Sequence, residues 1–156
     1  MSHPPTPNPQ ALAALVSNVT QTMLGISFAA RDPGSLVRES PIDLGWRTAM
    51  LPIPGPRPIT IALSSNKESC AALGAAMFSC PEGEVDSLMM DDSLNELVNM
   101  TAGQIKSTLA IDQALGLPKI VGESELKRIG NETQWKSVAL RAGAVELVVW
   151  IVERVF

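Results

Sequence analysis

Glu96, Asn99 and Gly103 are the residues of this chain whose types and spacing point most directly to chemistry. An α-helix turns about 100° per residue, so residues three and four apart share a face. With Glu96 set at zero, Leu94, Leu97, Val98, Thr101, Ile105, Thr108 and Leu109 fall on an arc between about 100° and 220°. That arc is apolar apart from two threonine hydroxyls and is wide enough to face a core. Opposite it, between about 280° and 360°, stand Asp92, Glu96, Asn99, Gly103, Lys106 and Ala110. A carboxylate beside a primary amide joins an anionic acceptor to a neutral group that both accepts and donates. Glycine inside a helix costs about 1 kcal/mol relative to alanine. Solvent gives no reason for it, whereas close approach of another backbone does.

On spacing alone, a solvated helix face accounts for Glu96 and Asn99, and tight packing within the chain accounts for Gly103. Asp92 reads first as a cap or dipole partner at the start of its helix.

The remaining composition removes other chemistries. The single histidine, His3, lies in a proline-rich N-terminal stretch, so histidine catalysis and most metal chemistry drop out. Cys70 and Cys80 lack zinc spacing and are too few for a disulfide framework. Sixteen acids against twelve bases leave a net charge of −4, the wrong sign for gripping nucleic acid or a membrane surface. Aromatics are 4% with no tyrosine, which offers no base-stacking surface and requires an aliphatic core. No segment reaches the roughly 18 apolar residues of a membrane span. No basic start or apolar run precedes Pro9, so no signal peptide is expected. The expectation is a cytoplasmic domain without a metal or cofactor of its own.

The elements that must position the stripe follow from periodicity. At 156 residues the chain fits one domain, over 10–156, behind a disordered lead-in over 1–9 that holds four prolines. Leu12, Leu15, Val16, Val19, Met23 and Leu24 mark an amphipathic helix ended by Gly25. After a loop containing Pro33-Gly34 and Pro41, Trp46 to Ile53 and Ile59 to Leu63 read as strands. Pro54, Pro56 and Pro58 between them forbid ladder donors, so that connection is a stiff turn or an edge. Ser64-Ser65-Asn66 can cap an alanine-rich helix that packs close to its neighbour. The long helix carrying the stripe runs from about Leu88 to Leu115, ended by Gly116 and Pro118. Pro118 to Gly122 is extended, and Trp135 to Leu140 and Val145 to Val152 are the last strands, around an Ala142-Gly143 turn. The last strand lacks alternation and is expected to be buried on both faces, with pairing to a second subunit as a further use. The fold class is α/β of the α+β type, two-layered, with long helices on a mostly antiparallel mixed sheet.

The run Asp92-Ser93-Leu94-Asn95-Glu96-Leu97-Val98-Asn99-Met100-Thr101-Ala102-Gly103 resembles the signature helix of the CheX/CheC group of chemotaxis phosphatases. That signature is E-x-x-N on a long helix, commonly continued as N-M-x-x-G with a lysine shortly after. Leu117-Pro118-Lys119-Ile120-Val121-Gly122 is similar to the P-x-x-V-x-G segment that follows the helix in the CheX branch. Ser64-Ser65-Asn66-Lys67-Glu68 resembles the strand-to-helix step before it. The chain has one E-x-x-N, as in single-site CheX members. It departs from the family in turning its first hairpin through prolines rather than glycines.

The resemblance implies hydrolysis of the aspartyl phosphate on a phosphorylated CheY-like response regulator. In that reading Asn99 orients the attacking water and Glu96 docks on the regulator's active-site lysine. Gly103 lets the partner lie flat on the helix, and Asp92 and Lys106 are rim charges. The partner supplies Mg2+, and the CheX branch usually forms homodimers. Two other classes stay open: a non-catalytic module that binds response regulators, and a flagellar-switch-like structural subunit.

Overall fold

The structure, a computed structural model, describes residues 9–30, 47–132 and 136–155. Residues 1–8 of the expected lead-in, the Pro33-Gly34 and Pro41 loop, Trp46 and Trp135 lie outside them. Helix α1 (Pro9–Leu24) opens on a proline, whose missing N–H costs nothing at a first helical position. It buries Leu12, Val16 and Val19, and Gly25 at φ 70° ends it in the left-handed region that suits glycine.

Six strands form one sheet: β1 (Ala29–Ala30), β2 (Arg47–Ile53), β3 (Ile59–Ser65), β4 (Lys119–Val121), β5 (Lys136–Ala142) and β6 (Val145–Val152). Their order is β1-β5-β6-β3-β2-β4, and every described pairing is antiparallel. The two-residue β1 is too short to show a period, and the sequence did not signal it. β2 and β3 pair from Arg47↔Ser65 to Ile53↔Ile59, with the prolines at their tip. β4 pairs with β2 only from Thr48↔Val121 to Met50↔Lys119. Pro52 lies beyond that ladder, where its missing N–H breaks nothing.

Helix α2 (Lys67–Phe78) is capped by Asn66, whose side chain accepts from Ser69 N–H at 2.8 Å. The close packing expected of this helix occurs at Gly74, where an added Cβ would sit 2.6 Å from Val85 Cγ1. Helices α1, α2 and α3 (Ser87–Thr108) cover one sheet face, with Leu12, Leu73, Leu97 and Ile105 meeting Leu51, Ile61, Val149 and Ile151. Each fully buried aliphatic side chain of this kind contributes about 1.5–3 kcal/mol.

A second, smaller core lies on the reverse face. There Met50, Ala62, Val148, Trp150 and Val152 pack with Leu126 and Ile129 of α4 (Glu123–Glu132). The sequence reading had no helix at α4, because that segment is mostly polar and shows only two apolar residues, three apart.

β6 is buried on both faces, as its unbroken apolar run implied: Leu147, Val149 and Ile151 on one side, Val148, Trp150 and Val152 on the other. The use of that strand to pair with a second subunit is corrected. β6 lies between β5 and β3, so both of its backbone edges are occupied. The expected homodimer needs another surface.

Candidate functional site

α3 begins where Asp86 Oδ1 accepts from Met89 N–H at 2.9 Å, a side-chain cap over the first turn. Asp86, not Asp92, therefore does the capping, and Asp92 sits in the second turn with its side chain exposed. Arg47 anchors this end to β2. Its Nη1 donates to the Ser87 carbonyl at 2.8 Å and pairs with Asp91 Oδ1 at 2.8 Å.

The helix ends seven residues before Leu115. Leu109 N–H bonds Ile105 O at 2.9 Å, Ala110 N–H bonds Ser107 O at 3.2 Å, and Ile111 N–H bonds Lys106 O at 3.0 Å. Ala110 takes φ 52°, a left-handed position that a residue with a Cβ adopts at some cost. The turn buries Leu109 and Ile111 and sends the chain back to the sheet. Thr108, expected on the inward arc, is exposed for that reason.

Between those ends the helix presents two faces as its periodicity requires. Leu94, Leu97, Val98, Thr101, Ala102 and Ile105 are buried. Asp92 and Glu96 are exposed, and Asn99, Gly103 and Lys106 are half-buried. Among the described residues, the head groups of Asp92, Glu96, Asn99 and Lys106 make no hydrogen bond or ion pair.

Asp92, Glu96 and Asn99 line one open depression of about 380 Å³, together with Asn95, Leu117 and Pro118. Gly103 and Lys106 lie further along the same helix face and outside that lining. Two carboxylates with no ion-pair partner among the described residues make this floor attractive to a positive group.

Among the described residues, no packing requires glycine at 103: a Cβ built there meets none of their atoms within 4 Å. At Gly74, by contrast, the Val85 side chain leaves no room.

The sequence reading did not select Asn95 for the site. Its Oδ1 is shut off from solvent and has no hydrogen-bond partner among the described residues, where a buried acceptor is ordinarily paired. It sits at about 260° on the wheel, at the border between the two arcs, so only its side-chain placement reveals it. Leu117 and Pro118 were legible as a motif but not as a wall facing the helix.

Cys70 plays no part in this depression. It is buried near Arg47, Ser65 and Asp91, and burial pushes its thiol up to about 11, against smaller downward pulls from Arg47 and Ser65.

The family model of chemotaxis phosphatase CheX matches residues 47–139. Among solved structures, a CheX from Borrelia burgdorferi, in a complex of CheX, CheY, BeF3 and Mg2+, superposes with a TM-score of 0.72 at 17% identity. That match covers 92% of this chain and 96% of the other. A CheX from Desulfovibrio desulfuricans matches with a TM-score of 0.69 at 17% identity, over 90% of this chain and 95% of that one. FliY of Thermotoga maritima matches more loosely, with a TM-score of 0.58 at 11% identity, over 89% and 83% of the two chains. At these identities the structural matches establish the shared fold. No curated protein matches the sequence.

Proposed function

Because the chain belongs to the chemotaxis phosphatase CheX family, whose model spans more than half of it, we propose that it hydrolyses the aspartyl phosphate of a CheY-like response regulator. One observation carries the reading. Glu96 and Asn99 line the same open depression without partners among the described residues, one turn apart on a helix held at both ends. A carboxylate and an amide placed so are available to another protein's pocket. The Borrelia burgdorferi CheX supports the choice of partner, since it stands in a complex with CheY.

An acyl phosphate is already activated, so a bound water needs mainly to be placed in line with phosphorus. The water forms the new P–O bond, the bond from phosphorus to the regulator's aspartate oxygen breaks, and that carboxylate leaves. The Asn99 carbonyl accepts a hydrogen bond from the water, orienting it, while its NH2 donates to a neighbouring oxygen. An amide is too weak a base to take the proton, which leaves with the phosphate product or to solvent. Glu96 pairs with the regulator's active-site lysine, a charge-assisted contact that strengthens as the interface excludes water. Neutralising the phosphoryl oxygens is the partner's part, through its own Mg2+ and lysine. The open space over Gly103 admits the partner's backbone, and Lys106 and Asp92 flank the contact.

The test is phosphate release from a phosphorylated CheY-like regulator. Asn99→Ala keeps binding but loses about a hundredfold in turnover, the scale of a misplaced reactant. Glu96→Ala weakens docking by about tenfold or more, because the partner lysine loses its counter-charge. Equal decay of the regulator with and without the protein refutes hydrolysis and leaves a binding module.

A further inference from the structure

After Ala110 the chain crosses to the tip of the β2–β3 hairpin, where the Gln113 side chain engages the proline-rich turn. Arg57 N–H donates to Gln113 Oε1 at 2.9 Å. Gln113 Nε2 in turn donates to the Arg57 carbonyl at 2.8 Å and the Pro54 carbonyl at 3.2 Å, with the Ile53 carbonyl at 3.4 Å sharing the same NH2. Three residues later Gly116 N–H donates to the Pro52 carbonyl at 2.7 Å. Only glycine fits at 116, since a Cβ there would lie 2.7 Å from that carbonyl oxygen. At Lys119 the chain joins β2 again as β4.

Leu117 and Pro118 are thus suspended between two anchors on β2, and they form the wall that faces Asp92, Glu96 and Asn99. Leu117 is 85% exposed. Its side chain buries little against the described residues, while the backbone on either side of it is tethered to β2. A rigid apolar group at the lip of a polar depression is pre-organised for contact, because little ordering is left to lose on binding. The acidic floor attracts any cation, whereas an apolar wall discriminates by shape.

We propose that Leu117 is a specificity-determining contact for the phosphorylated regulator, packing on an apolar side chain next to its phosphorylation site. Gln113 is the positioning residue that sets Leu117 from the hairpin. The inference rests on the phosphatase reading above. The occupant is the regulator itself, because Leu117 and the catalytic pair share one continuous depression.

The test uses a CheY-like regulator phosphorylated with acetyl phosphate, chosen because the wild-type chain accelerates its decay. Leu117→Ala raises KM about tenfold and holds kcat within about twofold, as expected when a leucine's contact is lost from binding alone. Gln113→Ala also raises KM in the wild-type background. In the Leu117→Ala background it adds less than about twofold, since the side chain it positions is gone. Leu117→Ala alters an exposed position, so this arm does not depend on whether Gln113→Ala folds.

Asn99→Ala loses kcat instead, which keeps the two claims apart. An unchanged KM for Leu117→Ala, with Asn99→Ala inactive, overturns this inference and leaves the phosphatase reading standing. Fully multiplicative KM effects of Gln113 and Leu117 overturn the positioning role. A fully active Asn99→Ala overturns the role given to Asn99, whereas a regulator that decays equally with and without the wild-type chain overturns the phosphatase reading, and this inference with it.

Discussion

Replacing Gly103 by alanine should stabilise the protein and impair its work, two effects of opposite sign from one methyl group. Gly103 lies in the interior of α3, five residues before its end, where glycine is about 1 kcal/mol worse than alanine. A Cβ built there has no neighbour within 4 Å among the described residues, so no clash with them subtracts from that gain. A gain of about 1 kcal/mol raises the Tm of a domain this size by about 2–4 °C. At the interface the same methyl stands where the partner's backbone approaches. Overfilling a close contact costs about 1–3 kcal/mol, which weakens Kd by about 5- to 150-fold. A thermal melt of the chain alone and a titration with a beryllofluoride-loaded regulator measure the two halves separately. A raised Tm with Kd within about twofold of wild type would refute the claim that Gly103 serves the partner. A Tm lowered by several degrees would refute the open space above it.

Three further substitutions test the scaffold. Asp86→Ala removes the cap that holds Met89 N–H and should lower stability by about 0.5–2 kcal/mol in urea denaturation. Gly116→Ala forces a Cβ against the Pro52 carbonyl at 2.7 Å, and the same denaturation should show a loss of about 1–3 kcal/mol. The Cys70 thiol, raised from 9.0 to about 11 by burial, keeps its proton in the folded state while the unfolded chain ionises. Its contribution is therefore intact below about pH 9 and is lost as pH rises toward 11, amounting to about 2–3 kcal/mol at most. Denaturation midpoints between pH 8 and 11 should fall less steeply for Cys70→Ala than for wild type. The absence of tyrosine leaves no phenol titration across that range.

The amphipathic face of α3 was legible in the sequence because the 3.6-residue period is a local property. Leu94, Leu97, Val98 and Ile105 could only point one way once Glu96 and Asn99 pointed the other. The same locality made α1, the β2–β3 hairpin, the Asn66 cap and the two-faced burial of β6 readable. The resemblance around Glu96 to Gly103 also identified the family, since a contiguous motif survives where overall identity is low.

Other features depend on contacts between residues distant along the chain. α3 stops at Thr108 rather than Leu115, in a turn through left-handed Ala110, and beyond it Gln113 bonds backbone groups of the β2–β3 tip more than fifty residues earlier. Nothing in the helical pattern announces that bond. α4 forms because Leu126 and Ile129 find the reverse face of the sheet around Trp150, a surface assembled from four other strands. Likewise, β6 is denied to a second subunit only because β3 and β5 flank it.

The same distinction governs the site. Local periodicity decided which way the carboxylate and the amide face. Long-range folding decided that Leu117 stands opposite them and that none of the described residues fills the space over Gly103. Direction is set by the turn of one helix, whereas a wall and a void exist only when separate segments have been brought together.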